Sequence, residues 1–429
     1  MKKIIKRFSF PFTFWVQKDE RSFLTFIIVA FLTAMFVTPY PQIAMWVGFL
    51  FAAYAAVAND SIQTLGTFIA SNQDRKWWVL WIFIGGIFLI TVGYSWLNYS
   101  GDVSHGRLLS KGFDKAPSEF HFLQIAAPVF LLILTRLRMP VSTTFILLTS
   151  FAAAPAAIGK VLAKSMSGYI LAFFLGFFVF ISVAKLAKKY FVGEAKFTWT
   201  VIQWITTGTL WSVWLMQDAA NIAVYLPRNM SFVEFLGFAL IVFFGLGMLL
   251  YYKGGRIQKI VTEKSVITDV RFATIVDFIY CIILFYFKLY SQIPMSTTWV
   301  FIGLLGGREV AMAIRKTGSH DILTSFKLLS KDFSLAMIGL IISIAIAIGV
   351  NDQLSLSISE EDFTRVHKTM AATASTNTRN TVTSSQTTIM AAYNIGGATL
   401  GLSLVDTDNS DYTANRDETK TILSLALEF

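Results

Sequence analysis

Charge is what this chain of 429 residues has least of: Asp, Glu, Lys and Arg make up 14% of it, against 55% hydrophobic residues and a mean hydropathy of +0.60. Soluble domains carry about a quarter charged residues, so a string of soluble domains is excluded. Cysteine is almost absent as well. Cys281 stands alone inside an apolar run, which rules out a disulfide framework and a Cys-based metal site. The four histidines, His105, His121, His320 and His367, are scattered without zinc-like or triad-like spacing, and no constellation of an enzyme active site appears. The net charge of +10 does not point to nucleic acid either, because the basic residues collect in short stretches between apolar runs, where they act as topology signals.

What the chain does have is length in its apolar runs. Runs of about 17 to 25 residues, enough to cross a bilayer's hydrocarbon core, recur between Ser22 and Val350. The basic N-terminus shows no small-residue cleavage site after a short apolar core, so residues 1–42 read as a basic segment followed by a retained anchor helix. A long run over 43–70 is interrupted at Ala58-Asn59-Asp60, a span follows at 77–96, and two shorter arms at 120–134 and 140–154 precede a span at 165–184. The order then repeats: a run over 198–226 interrupted at Gln217-Asp218, a span at 232–252, arms at 272–290 and 294–313, and a last span at 333–350. Aligning Asp60 with Asp218 gives an offset of 158, and Pro140 with Pro294 gives 154. Two transporter repeats, 43–197 and 198–350, follow from this. If each pair of arms is a re-entrant hairpin, a repeat makes an odd number of crossings, and the halves lie inverted, a recurrent plan for transporters that bind substrate at the repeat interface. With the N-terminus cytoplasmic, 21 of the 36 basic residues fall in inside segments and six in outside loops, among them Arg107, Lys160, Lys164 and Arg228. That bias favours this orientation.

Each repeat carries two polar motifs. The first is Asn59-Asp60-Ser61-Ile62-Gln63 in one half and Gln217-Asp218-Ala219-Ala220-Asn221 in the other. A carboxylate flanked by carboxamides midway along an apolar run costs several kcal/mol unless something satisfies it, and hard oxygen donors of this kind suit a small cation. The bland alternative is an Asp bonded to a neighbouring helix. The second motif is Pro140-Val141-Ser142-Thr143-Thr144, matched by Pro294-Met295-Ser296-Thr297-Thr298. Proline followed by hydroxyl residues marks a helix start, and the free amides of a helix start, with hydroxyl donors beside them, favour an anion. A pair of plain helix caps is the alternative.

An Asn-Asp element followed 82 residues later by Pro-Val-Ser-Thr-Thr (Asp60 to Ser142), and 78 residues later in the second half (Asp218 to Ser296), resembles the inorganic phosphate transporter family of cation-coupled carriers. The resemblance spans residues 43–350. It implies an all-α polytopic membrane protein of two inverted repeats, each with a discontinuous helix and a re-entrant helical hairpin. Carried over by position, it implies a coupling-ion site, for Na⁺ or H⁺, at Asn59, Asp60, Gln63, Gln217, Asp218 and Asn221. It places phosphate or a related oxyanion on Ser142, Thr143, Thr144, Ser296, Thr297 and Thr298. Two departures stand out: one carboxamide in each half is Gln rather than Asn, and Phe145 and Trp299 follow the hydroxyl triplets where His or Gln is common. Arg138, just before the first triplet, either adds a planar bidentate contact to the oxyanion or faces a vestibule or a carboxylate. The expected activity is uptake of phosphate across a bacterial inner membrane by alternating access, by a single chain or a homo-oligomer. A sulfate permease on the same scaffold, and a non-transporting membrane anchor, are the alternatives.

The tail departs from all this. Residues 351–385 are polar and read as a poorly ordered linker. Residues 386–395, 398–407 and 420–429 show β-like alternation, the last resembling the closing strand of an outer-membrane porin, so a three-stranded sheet is expected over 386–429. Beyond Val350 ten acidic residues face five basic ones, which suits a periplasmic tail, with a partner in the outer membrane left open.

Overall fold

The computed structural model describes residues 18–109, 113–137, 139–152, 155–252, 269–290, 294–317 and 320–350, and in the tail 357–368, 379–395, 398–408 and 418–427. The described residues up to Val350 form helices joined by turns and loops. The helices are α1 (Lys18–Val37), α2 (Pro41–Ser71), α3 (Trp77–Asn98), α4 (Phe122–Arg136), the single turn α5 (Thr143–Ile146) and a 3-10 turn (Leu148–Phe151). They continue with α6 (Pro155–Tyr190), α7 (Phe197–Ala223), α8 (Phe232–Tyr251), α9 (Val270–Tyr290), α10 (Thr297–Ile314) and α11 (Ile322–Val350). Seven segments of them are long and apolar enough to cross a membrane: Pro41–Asp60, Trp77–Asn98, Ile158–Ala184, Phe232–Tyr251, Val270–Leu289, Thr297–Ile314 and Ile322–Val350. The 27 residues of α7 are long enough too, but its polar face bears Gln203, Thr207, Gln217, Asp218 and Asn221, all buried. Apolar side chains crowd the outer surface: Ile90, Leu97, Phe197 and Val233 are each more than 70% exposed. An apolar exterior around a polar centre is the arrangement a lipid solvent requires. The chain is a multi-pass membrane protein.

Both interrupted runs come out differently from expectation. Helices α2 and α7 pass through Asp60 and Asp218 unbroken. Asn and Asp weaken a helix only where their side chains compete for its backbone, and here those side chains bond to one another and to other helices instead. The paired arms are unequal. The first pair is short, 15 residues of α4 against the single turn of α5 and the 3-10 turn. The second pair, α9 and α10, has 21 and 18 residues, each able to cross the bilayer.

Close packing joins the arms to the long helices. Along α6, Gly168 and Gly176 face Val300 and Leu304 of α10, whose Gly303 and Gly307 have no room for a Cβ against the backbone of Tyr169 and Phe173. Small residues four apart let two membrane helices approach at backbone distance. At the end of α7, the buried Arg228 donates to the carbonyls of Val224 and Leu226 at 3.0 and 2.9 Å and to those of Phe113 and Lys115 at 3.0 and 2.9 Å. It caps the helix and staples to it the loop between α3 and α4.

The tail holds four antiparallel strands in sequence order: β1 (Ser357–Lys368), β2 (Arg379–Ile395), β3 (Ala398–Asp408) and β4 (Glu418–Leu427). Ser357 lies opposite Met390, Ser385 opposite Asp408 and Ala398 opposite Leu427. The stretch expected to be an unstructured linker therefore supplies β1 and the beginning of β2. Backbone pairing with β2 places Ser357–Lys368 in the sheet, although that polar segment lacks a period-two apolar pattern.

Candidate functional site

Asp60 lies in the second half of α2 and Asp218 in the last turns of α7, 2% and 3% exposed, and close enough to repel one another. Each carboxylate is held by a carboxamide of its own helix. Asn59 Nδ2 donates to Asp60 Oδ1 at 2.6 Å, and Asn221 Nδ2, one helical turn beyond Asp218, donates to Asp218 Oδ1 at 2.7 Å. The two halves thus use different spacings, i−1 and i+3, to reach the same contact. Gln217 turns its amide to the Leu284 carbonyl at 2.7 Å.

The two hydroxyl motifs meet these carboxylates. Ser142 and Ser296 are the N-caps of α5 and α10, each accepting at 3.2 Å from an amide three residues on, those of Phe145 and Trp299. Thr143 bonds to Asp60, and Thr297 bonds to Asp218. The tips also bond to each other: Thr144 Oγ1 donates to Met295 O at 3.1 Å, and Thr298 Oγ1 donates to Val141 O at 3.5 Å. Behind them the rings of Phe145 and Trp299 lie 5.3 Å apart. Residues more than 150 positions apart are thereby brought into one buried centre. Of the residues singled out in the sequence, it contains Asn59, Asp60, Ser142, Thr143, Thr144, Gln217, Asp218, Asn221, Ser296, Thr297 and Thr298, all at most 3% exposed. Arg138 and the side chain of Gln63 lie outside the described residues. Because α5 is one turn long, its dipole is slight, and an anion at the first tip would rest on hydroxyls and amides. At the second tip Ser165 Oγ accepts the Ser296 amide at 2.7 Å, so that donor is taken.

Four buried acceptor oxygens at this centre have no hydrogen-bond partner among the described residues: Asp60 Oδ2, Asp218 Oδ2, Gln217 Oε1 and Asn221 Oδ1. Acceptor oxygens without donors, two of them on carboxylates, have the chemistry that a proton or a hard cation satisfies.

Several participants were not evident from the motifs. Thr135 donates to Asn59 Oδ1 at 3.2 Å, Trp214 Nε1 to Thr297 Oγ1 at 3.3 Å, and Tyr280 OH to Thr297 O at 3.0 Å. A third carboxylate, Asp277 on α9, is 1% exposed and accepts from Thr67 at 2.8 Å and Thr207 at 2.6 Å, hydroxyls of the two helices that bear Asp60 and Asp218. One turn further along, Asn72 donates to Gln203 at 3.1 Å and accepts from Trp204 at 3.0 Å. An acidic residue inside an apolar run was the available signal for Asp277.

No family model, curated protein or solved structure matches the chain.

Proposed function

We propose that this protein is a cation-coupled transporter of a tetrahedral oxyanion, phosphate first, working across a bacterial inner membrane by alternating access. The observation that carries the proposal is the shared centre: two buried carboxylates, each bonded to a threonine at the tip of a helical arm, with the two tips bonded to each other. A protein that only anchored a tail in the membrane would gain nothing from two mutually repelling intramembrane carboxylates. The hydroxyls of Ser142, Thr143, Thr144, Ser296, Thr297 and Thr298 supply neutral donors for an oxyanion. The free carboxylate and carboxamide oxygens supply acceptors for Na⁺ or H⁺. An anion and two carboxylates share so small a space only when a cation neutralises the latter, and that requirement is a physical basis for coupling. The resemblance to the inorganic phosphate transporter family agrees with this assignment and names the substrate.

The test is uptake of labelled phosphate and labelled sulfate into proteoliposomes under an imposed Na⁺ or H⁺ gradient. Gradient-driven phosphate uptake is expected, abolished by Asp60→Asn and by Asp218→Asn in protein that still inserts and purifies. Parental rates in both variants would refute the ion-site assignment. Preference for sulfate would keep the mechanism and change the substrate.

A further inference from the structure

Asp277 belongs to neither polar motif, yet the fold buries it against the two helices that carry Asp60 and Asp218. It lies on α9, where Thr67 Oγ1 of α2 donates to its Oδ1 at 2.8 Å and Thr207 Oγ1 of α7 donates to its Oδ2 at 2.6 Å. Both threonines are themselves buried. These are its only hydrogen bonds among the described residues, and no Lys, Arg or His there forms an ion pair with it. On α9 itself Tyr280 and Cys281 follow one turn on, and Arg271, six residues before, is bonded to Asp269. The other helices packed on α9 bring Lys160, Lys164 and Lys189 from α6, and Arg308 and Glu309, which pair with each other, from α10.

The kind of partner sets Asp277 apart from the other acids of the bundle. Asp102 accepts from the amides of Ser104 and Gly106, and Asp269 from the guanidinium of Arg271. Those donors suit a carboxylate and nothing else. A hydroxyl has one proton to give and two lone pairs, so Thr67 and Thr207 serve the carboxylate as donors and, by turning, the carboxylic acid as acceptors. A metal ion fits less well, because hard cations such as Mg²⁺ and Ca²⁺ take about six or more oxygen ligands and the place offers two carboxylate oxygens and two hydroxyls. Asp277 also stands on a polar file. Asp60, Thr64, Thr67 and Ser71 are spaced four, three and four along α2, which sets them on one face. The file rises about 10 Å from Asp60 to Thr67 at 1.5 Å per residue. Between them Thr64 is 2% exposed, and its Oγ1 has no hydrogen-bond partner among the described residues. At the far end Gln203 of α7 bonds to Ser71 and Asn72, just before the exposed residues 73–76.

We propose that Asp277 is a proton-carrying site of the transport cycle, separate from the Asp60–Asp218 pair, which takes a proton on one side of the membrane and releases it on the other in step with the anion. In loading, an O–H bond forms on a carboxylate oxygen as one breaks in hydronium, leaving water and a neutral acid; release is the reverse. The inference rests on the proposed function for the anion that moves. Its added content is a second place for the coupling ion, and the identity of that ion. It also says why the proton must travel with the change of access: α9 can shift against α2 and α7 without carrying a bare charge past apolar side chains only when Asp277 is neutral.

The test compares two rates in proteoliposomes of the full-length protein: accumulation of labelled phosphate driven by an inward proton gradient with Na⁺ equal on both sides, and exchange of labelled for unlabelled phosphate at equal pH, which needs no net proton movement. Asp277→Asn keeps the shape and cannot take up a proton, so the ratio of accumulation to exchange is expected to fall at least about fivefold. Because that variant can fail to insert, Thr207→Val and Thr207→Ser form a second pair. Loss of the hydroxyl in Thr207→Val should lower the ratio, and Thr207→Ser, which keeps it, should hold the ratio within about twofold of the parent. A smaller fall in Asp277→Asn, including equal loss of both rates, or equal ratios in the two Thr207 variants, overturns the proton site. A parent that takes up phosphate under a Na⁺ gradient and ignores the proton gradient also overturns it, and leaves the proposed function standing. A parent that moves neither phosphate nor sulfate under either gradient overturns both proposals.

Discussion

Thr143 and Thr297 are the residues through which tip and carboxylate touch. A hydrogen bond to a charged group contributes about 1.5–3 kcal/mol, which corresponds to roughly a tenfold to a hundredfold change in an equilibrium constant. Replacing either threonine by valine keeps the shape and removes the donor. Thr143→Val and Thr297→Val are therefore expected to shift the Na⁺ or H⁺ dependence of uptake by at least about tenfold, with maximal uptake recovered at high cation concentration. Uptake with unchanged cation dependence would separate the tips from the ion site. Most of this centre was legible at the level of residues, because a carboxylate in an apolar run and a Pro-x-Ser-Thr-Thr run carry their chemistry in their composition. The burial of Arg107 was not legible. It lies in a polar stretch between apolar runs, and only the fold of that stretch, where the Ser104 amide donates to Asp102 and Ser95 donates to Asp102 O, shows that it is buried.

At the scale of elements, the contact between α6 and α10 depends on what is absent from Gly303 and Gly307. A side chain at either position meets backbone of α6. Gly307→Leu should force the helices apart and lower stability by about 1–3 kcal/mol or more, the usual range for overpacking. Gly86→Leu, where nothing lies within 4 Å, should be nearly neutral. Thermal unfolding of the two variants in detergent, side by side, tests this, and equal midpoints would show that the seam does not bear on stability. Arg228→Ala removes donors to four carbonyls and should destabilise by on the order of 3 kcal/mol, seen as earlier proteolysis in the loop before α4. Span existence was readable from apolar length alone. Helix continuity was not, since sequence polarity at Asn59-Asp60 looks the same whether the helix breaks or its side chains find partners sideways.

For the molecule as a whole, the helical part contains every residue of the proposed centre, and none of them comes from the sheet. Deleting residues 356–429 is expected to leave uptake into proteoliposomes within about twofold of the parent. A truncated protein that inserts normally yet cannot transport would make the sheet part of the mechanism. The sheet's outer strands, β1 and β4, leave backbone donors and acceptors for another strand. The unbroken course of α2 and α7 through their acidic residues has a consequence for ion choice. In transporters whose helices unwind at the binding site, main-chain carbonyls supply part of the ion's coordination shell. Here those carbonyls are committed to the helical ladder, so under the proposed function the ion would be chosen by replaceable parts: Asn59, Asp60, Gln217, Asp218 and Asn221, within reach of threonines from the tips. On that proposal, ionic preference is a trait that a few codon changes would rewrite without disturbing the scaffold that carries them.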